Sequence, residues 1–212
     1  MVAVVPDPIT CFEDASFKQH LRFMLEEGSS LVLVDWITSG RMSRGEGWHL
    51  ARLESRNEVM VQVPAIAGQD WEWEPLILDS LVLEELPGLS IRERMLGMSV
   101  VGVAILLGPR VADACSALLD REARMRSTLP PGLQPGKGSR ARKNAEEAPK
   151  RGRVLSSVSR LQGGYGGWCN GLVYRFAAER TEDAREALHT LLLPLKASLG
   201  GKAPYATEGG TC

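Results

Sequence analysis

His20, His49 and His189, with Cys11, Cys115, Cys169 and Cys212, are the side chains of this chain that could hold a metal or act as nucleophiles. Their spacing argues for neither. No pair stands at the interval of a zinc site, and each histidine falls in a different predicted element. Cys169 has no histidine or cation beside it in sequence that would favour its thiolate. The signatures of zinc proteases, serine hydrolases, CxxC redox sites and phosphate loops are all absent. The glycine run 163–167 joins two predicted strands and opens no helix, so it reads as a hairpin turn and not as a phosphate cradle.

Residues 30–46, SLVLVDWITSGRMSRGE, hold a charged group with a structural logic. Positions 31–37 are apolar except for Asp35 and contain no glycine or proline, which predicts a strand buried on both faces. Thr38, Ser39 and Gly40 signal a turn, and Arg41, Arg44 and Glu46 follow around Gly45. A carboxylate inside a buried strand demands a partner, and Arg41 or Arg44 is the obvious cation. Asp35, Arg41, Arg44 and Glu46 therefore read as an ion-pair and hydrogen-bond network fixing the turn, or as a partner-binding surface. Use of Asp35 or Glu46 as a catalytic acid or base would need a cleft and further reactive groups, and the sequence offers too few.

The elements around this stretch are mostly strands. A short strand over 2–5 is stopped by Pro6 and Pro8, and a second extended piece runs through 10–12. Over 17–25, Phe17, Leu21, Phe23 and Leu25 alternate with Lys18, His20 and Arg22, which predicts a half-exposed antiparallel strand ending in a hairpin turn at 26–29. A second hairpin is expected from 48–55 to 58–63, turning at Arg56 and Asn57. Trp71 and Trp73 alternate with acidic residues and share one strand face, as sheet core or partner-facing patch more than as a ligand platform. Pro75 is expected to break that strand before an extended run over 76–86. Ser90 and Glu93 form a capping-box pattern. A buried strand follows over 99–107, then the strongest helical periodicity, over 110–125. Strands over 154–161 and 171–176 lead to a last helix that Thr181 is expected to cap.

Composition sets the outer bounds. An apolar fraction of 44% and a charged fraction of 24% fit an ordinary globular protein of 212 residues. A net charge of −1 offers no global attraction for nucleic acid or anionic membrane. No apolar run approaches the roughly 20 residues that span a bilayer. The first residues lack a signal-peptide pattern, and the scattered cysteines fit a reduced, cytoplasmic chain. Residues 127–152 carry prolines and cations without hydrophobic periodicity, which predicts a disordered insertion loop. Its basic part, 137–153, could touch nucleic acid, giving an alternative reading as a nucleic-acid-binding or general interaction module. Glu146, Glu147 and the lack of interleaved aromatics favour a solvated loop.

PDPITCF over 6–12, an apolar strand ending in Gly40-Arg41-x-x-x-Gly45-Glu46, and ILLGPR over 105–110 together resemble the UreD (UreH) family of urease accessory proteins. The resemblance covers the chain apart from 127–152. It implies a mainly β (α+β) fold of β-helix-like stacked strands with two packed helices. It also implies that 1–212 form a single domain lacking the family's N-terminal β portion. The expected role is that of a cytoplasmic, non-enzymatic chaperone of metalloenzyme maturation in nitrogen metabolism. Its partners would be the urease apoprotein and the UreF-type and UreG-type (GTPase) accessory proteins. Nickel would be handled in transit, through an internal passage, with no cofactor of the protein's own. No catalytic, cofactor or nickel-binding residue transfers to a position of this sequence.

Overall fold

The computed structural model describes residues 1–41, 44–64, 71–127, 152–162 and 170–206. The insertion 127–152 and its basic part 137–153 lie almost wholly outside the described residues, as do the glycine run 163–167 and Cys169.

The chain begins by winding between two sheets. Strands β1 (Val2–Val4) and β2 (Ile9–Thr10) lie in the larger sheet, β3 (Ser16–Leu25) in the smaller, β4 (Leu31–Thr38) in the larger again and β5 (Arg52–Pro64) in the smaller again. Each return is parallel: β1 and β2 pair β4, and β3 pairs β5 from Ser16↔Arg52 to Leu25↔Val61. These are two rungs of a coil, in keeping with the stacked-strand expectation. The corner at 26–29 is consequently no hairpin, because β3 and β4 belong to different sheets. The expected turn at Arg56 and Asn57 is also absent. Strand β5 runs straight through both residues because the odd positions from Leu53 to Val63 all face inward.

From there the pairing is antiparallel. Strand β6 (Trp71–Glu84) returns along β5 and continues through Pro75, with a register shift beside Val59 and Met60 that leaves Leu76 as an extra residue. A proline is tolerated there because β6 is the sheet edge. Helix α1 (Ile91–Arg94) is closed by the expected capping box: the Glu93 backbone N–H donates to Ser90 Oγ, and the Ser90 N–H donates to Glu93 Oε2. Strands β7 (Val100–Leu107), β8 (Val154–Leu161) and β9 (Gly171–Ala178) complete the larger sheet in the order β1-β4-β7-β9-β8. Helices α2 (Ala112–Ser127) and α3 (Thr181–Leu192) cover it; α3 is preceded by Arg180 at the N-cap, and Thr181 caps nothing. No described helix is long and apolar enough to cross a membrane.

Strand β4 is buried along its whole length because it has a layer on each side. Val32, Val34 and Trp36 face α2 and α3 with Leu106, Leu172, Phe176 and Leu188. Leu31 and Leu33 face the smaller sheet with Ile105, Val59, Val61 and Ile77. Ile37 continues that second face into a cluster with Cys11, Trp48, Leu53 and Ile91. Gly102 on β7 lets Trp36 and Phe176 close over the strand: a Cβ there would lie 2.6 Å from Trp36 Cβ and 2.5 Å from Phe176 Cζ. Gly102→Ala should therefore cost about 1–3 kcal/mol by overpacking. The check is a lower urea midpoint at unchanged m-value; an unaltered midpoint would show that the two rings have room to yield.

Candidate functional site

The two segments that frame the charged turn meet in space. Strand β2 lies beside the end of β4, with Thr10 and Thr38 hydroxyls 2.9 Å apart. Upstream, the Pro6 carbonyl accepts from Trp36 Nε1 at 2.9 Å and from the Tyr205 hydroxyl at 2.6 Å. Residues 6–12 are thus fastened along β4 up to the turn.

The turn closes on itself. Gly40 has φ +124°, and a Cβ there would lie 2.2 Å from the Glu46 carbonyl oxygen, so a glycine is required by both conformation and space. Arg41 Nε donates to Glu46 Oε2 at 2.8 Å and Nη2 donates to Oε1 at 2.6 Å, a two-pronged pair. The Arg41 guanidinium also lies 4.3 Å from the Phe12 ring centroid. Glu46 is buried, and the Arg41 hydrogen bonds hold its carboxyl below the usual carboxylate range, helped by the charges of Arg41 and Arg44 and by a backbone hydrogen bond from Glu13. Exposed Arg44 contributes that attraction and makes no side-chain hydrogen bond to a described residue.

Asp35 is held elsewhere. Its carboxylate accepts from Gln19 Nε2 at 2.8 Å, Ser55 Oγ at 2.6 Å and Asn57 Nδ2 at 2.8 Å. The expected arginine partner is thus corrected to three neutral donors. The reason is geometric: Asp35 faces the smaller sheet between Leu33 and Ile37, while Arg41 lies beyond the strand and is committed to Glu46. Neutral donors satisfy the buried carboxylate without a second buried charge. The missed donors had a signal, since Gln19, Ser55 and Asn57 are polar residues in inward rows that are otherwise mainly apolar.

Beside Asp35 the two sheets part around a cavity of about 220 Å3, lined by Asp35, Asp79, Ser80, Gly102 and Arg175. Arg175 of β9 donates to Asp79 Oδ1 of β6 at 2.5 Å, an ion pair bridging the sheets. Asn57 Oδ1 is buried nearby without a hydrogen-bond partner among the described residues. A larger cavity, about 380 Å3, lies beyond the other face of the larger sheet, between β8 and helices α2 and α3. Its Asp183 is already held by Arg180 at 2.7 Å.

Reactive groups are otherwise dispersed. Burial pushes the Cys115 thiol up to about 11 and raises that of Cys11. His20 meets Glu58 at 3.1 Å, whereas His189 meets the Pro204 carbonyl at 3.0 Å. Among the described residues, no three His, Cys, Asp or Glu side chains gather as metal ligands. Trp71 and Trp73 are 51% and 38% exposed, which excludes the sheet-core reading of this pair.

The chain matches the model of the family described as UreD urease accessory protein over residues 1–208. It is 33% identical over 206 residues to urease accessory protein D of Oryza sativa subsp. indica, covering 97% of this chain and 62% of the relative. Against urease accessory protein D of Arabidopsis thaliana the identity is 32%, over 97% of this chain and 65% of the relative. Against urease accessory protein UreD of Sorangium cellulosum (strain So ce56) it is 30%, over 98% and 54%. The chain thus spans 54% to 65% of the length of these relatives.

Two outcomes follow from this geometry. Asp35→Ala strands two buried donors, Ser55 and Asn57, and takes one acceptor from half-buried Gln19. It should lower stability by about 2–4 kcal/mol, measured by chemical unfolding. Because the folded-state pKa of Glu46 is depressed, its pair with Arg41 stabilises the fold above the ordinary carboxylate pKa of about 4.3 and is lost as pH falls through the lower, folded value. The stability gap between the parent and Glu46→Gln should therefore shrink from about pH 6 to about pH 3, and a gap constant over that range would contradict the pairing.

Proposed function

The chain belongs to the UreD family of urease accessory proteins, and on that premise we propose that it is a non-catalytic docking protein of urease maturation. It binds the urease apoprotein together with UreF-type and UreG-type partners and assists delivery of nickel, as cargo, to the urease active site. The observation that carries this reading is the family match along 1–208, which takes in the segments meeting at the Gly40–Glu46 turn.

The geometry supports it in two ways. At the turn Arg41 and Glu46 are spent on each other and Arg44 is exposed, which suits docking better than turnover. The cavity between the sheets sets Asp35, which has no cation partner among the described residues, and the Asp79–Arg175 ion pair among mainly apolar side chains, so a passing cation would meet a carboxylate there. Cytoplasmic placement belongs to the same reading and is supported by the free buried thiols Cys11 and Cys115.

The test is co-expression of the urease subunits with the UreF-type and UreG-type proteins in nickel medium, with and without this protein. Omission should bring urease activity and nickel content per urease down together, at constant urease protein. Full activity without it would sink the assignment.

A further inference from the structure

The larger sheet is covered on both faces, whereas the smaller sheet is covered on one. The outer face of the smaller sheet divides in two. At one end, charges cancel locally: Lys18 pairs Glu54 at 2.9 Å, Arg22 pairs Glu58 at 2.6 Å, and Arg52 pairs Glu84. At the other end the register brings Met24, Met60 and Pro75 into one row across β3, β5 and β6, with Gln62↔Trp73 and Pro64↔Trp71 beyond it. Leu78 adjoins this half at 58% exposure, and Met24 stands at 47%. Tryptophan and methionine are the residues enriched where proteins dock and scarce on idle surface.

The charges around this half differ in kind. Glu26 and Glu27 lie exposed in the corner after Met24, whereas Glu72 and Glu74 alternate with the indoles and fall in the inner row, opposite Val63 and Val61. Neither Glu26 nor Glu27 makes an ion pair or side-chain hydrogen bond among the described residues, although Glu54, Glu58 and Glu84 on the outer face are all paired. Two carboxylates with no cation partner among the described residues, beside an exposed Trp and Met surface, repel anionic lipid and a second copy of the same patch, and complement a cationic one.

We propose that this half-face, centred on Trp71, Trp73, Met24 and Met60, docks a lysine- or arginine-flanked amphipathic helix of a partner protein. The apolar strip from Trp71 to Leu78 is about 20 Å long, which a helix of about 14 residues matches. The partner's apolar stripe covers the indoles and its basic flank meets Glu26 and Glu27. The inference rests on the docking role proposed above and names the surface that performs it.

The test measures binding of the full chain to purified urease apoprotein, UreF-type protein and UreG-type protein in turn. Trp71→Ala combined with Trp73→Ala should weaken one of these associations at least about tenfold, with Trp73→Phe retaining most of it. Glu26→Lys combined with Glu27→Lys should weaken the same association at low salt, with a smaller effect as salt rises. Circular dichroism verifies that the variants fold, and the charge-reversal pair leaves the indoles in place. If the parent chain binds and both variant pairs bind equally well, the surface assignment is wrong while the docking role stands. If the parent binds none of the three, the docking role fails and this inference with it. Tryptophan-dependent self-association in sedimentation, or binding to phosphatidylglycerol vesicles, would identify a different occupant and overturn the proposal.

Discussion

Asp35 is a buried carboxylate on the face of β4 that meets the smaller sheet. In its own sheet the residue opposite on β7 is Val103, and Arg175, next in that row on β9, is committed to Asp79. Its donors come from across the interface, one from β3 and two from β5. Hydrophobic contact between two sheets is non-directional and tolerates sliding. Three hydrogen bonds of fixed length to one carboxylate do not, and they set the smaller sheet against the larger in a single position. The same polarity keeps this interface from closing tightly: Asn57 spends its amide nitrogen on Asp35 and leaves its oxygen unmatched, and the sheets part at the cavity alongside.

That setting also orders the turn. Strand β4 delivers Gly40 to a position where the returning Glu46 backbone touches its Cα, and Arg41 then has one short route to a carboxylate. Phe12 receives the other face of the guanidinium because β2 has been fastened to the end of β4. The Gly-Arg-x-x-x-Gly-Glu pattern and the PDPITCF segment, separate in sequence, are one structural unit.

What could be read in the sequence was what local pattern decides. The buried strand announced itself over 31–37 by apolarity that only Asp35 interrupts, one residue short of its end at Thr38, α1 by Ser90 and Glu93, and the stripe of α3 by its period. The partner of Asp35 was not legible, because sequence proximity favoured Arg41 while the donors come from strands paired in parallel with each other in a different sheet. Arg56 and Asn57 look like turn residues in isolation. Asn57 faces inward because a carboxylate waits for it, a fact held 22 positions away. Alternation placed Trp71 and Trp73 on one face, yet could not say which face, since that depends on the register with β5.

That register turns on Leu76. Opposite Val59 and Met60 the edge strand carries one residue more than its neighbour, and the surplus reverses the parity of everything before it. Counted back from Ile77 without the surplus, Trp73 and Trp71 would fall on the inner side with Val63, and Glu74 and Glu72 would point to solvent. One inserted residue is thus the difference between an acidic outer row over a tryptophan-filled interior and a hydrophobic outer row with those two carboxylates turned to the inner side. Amino-acid content is the same in either arrangement, so the adhesiveness of this edge is written in the spacing of the strand and not in its composition.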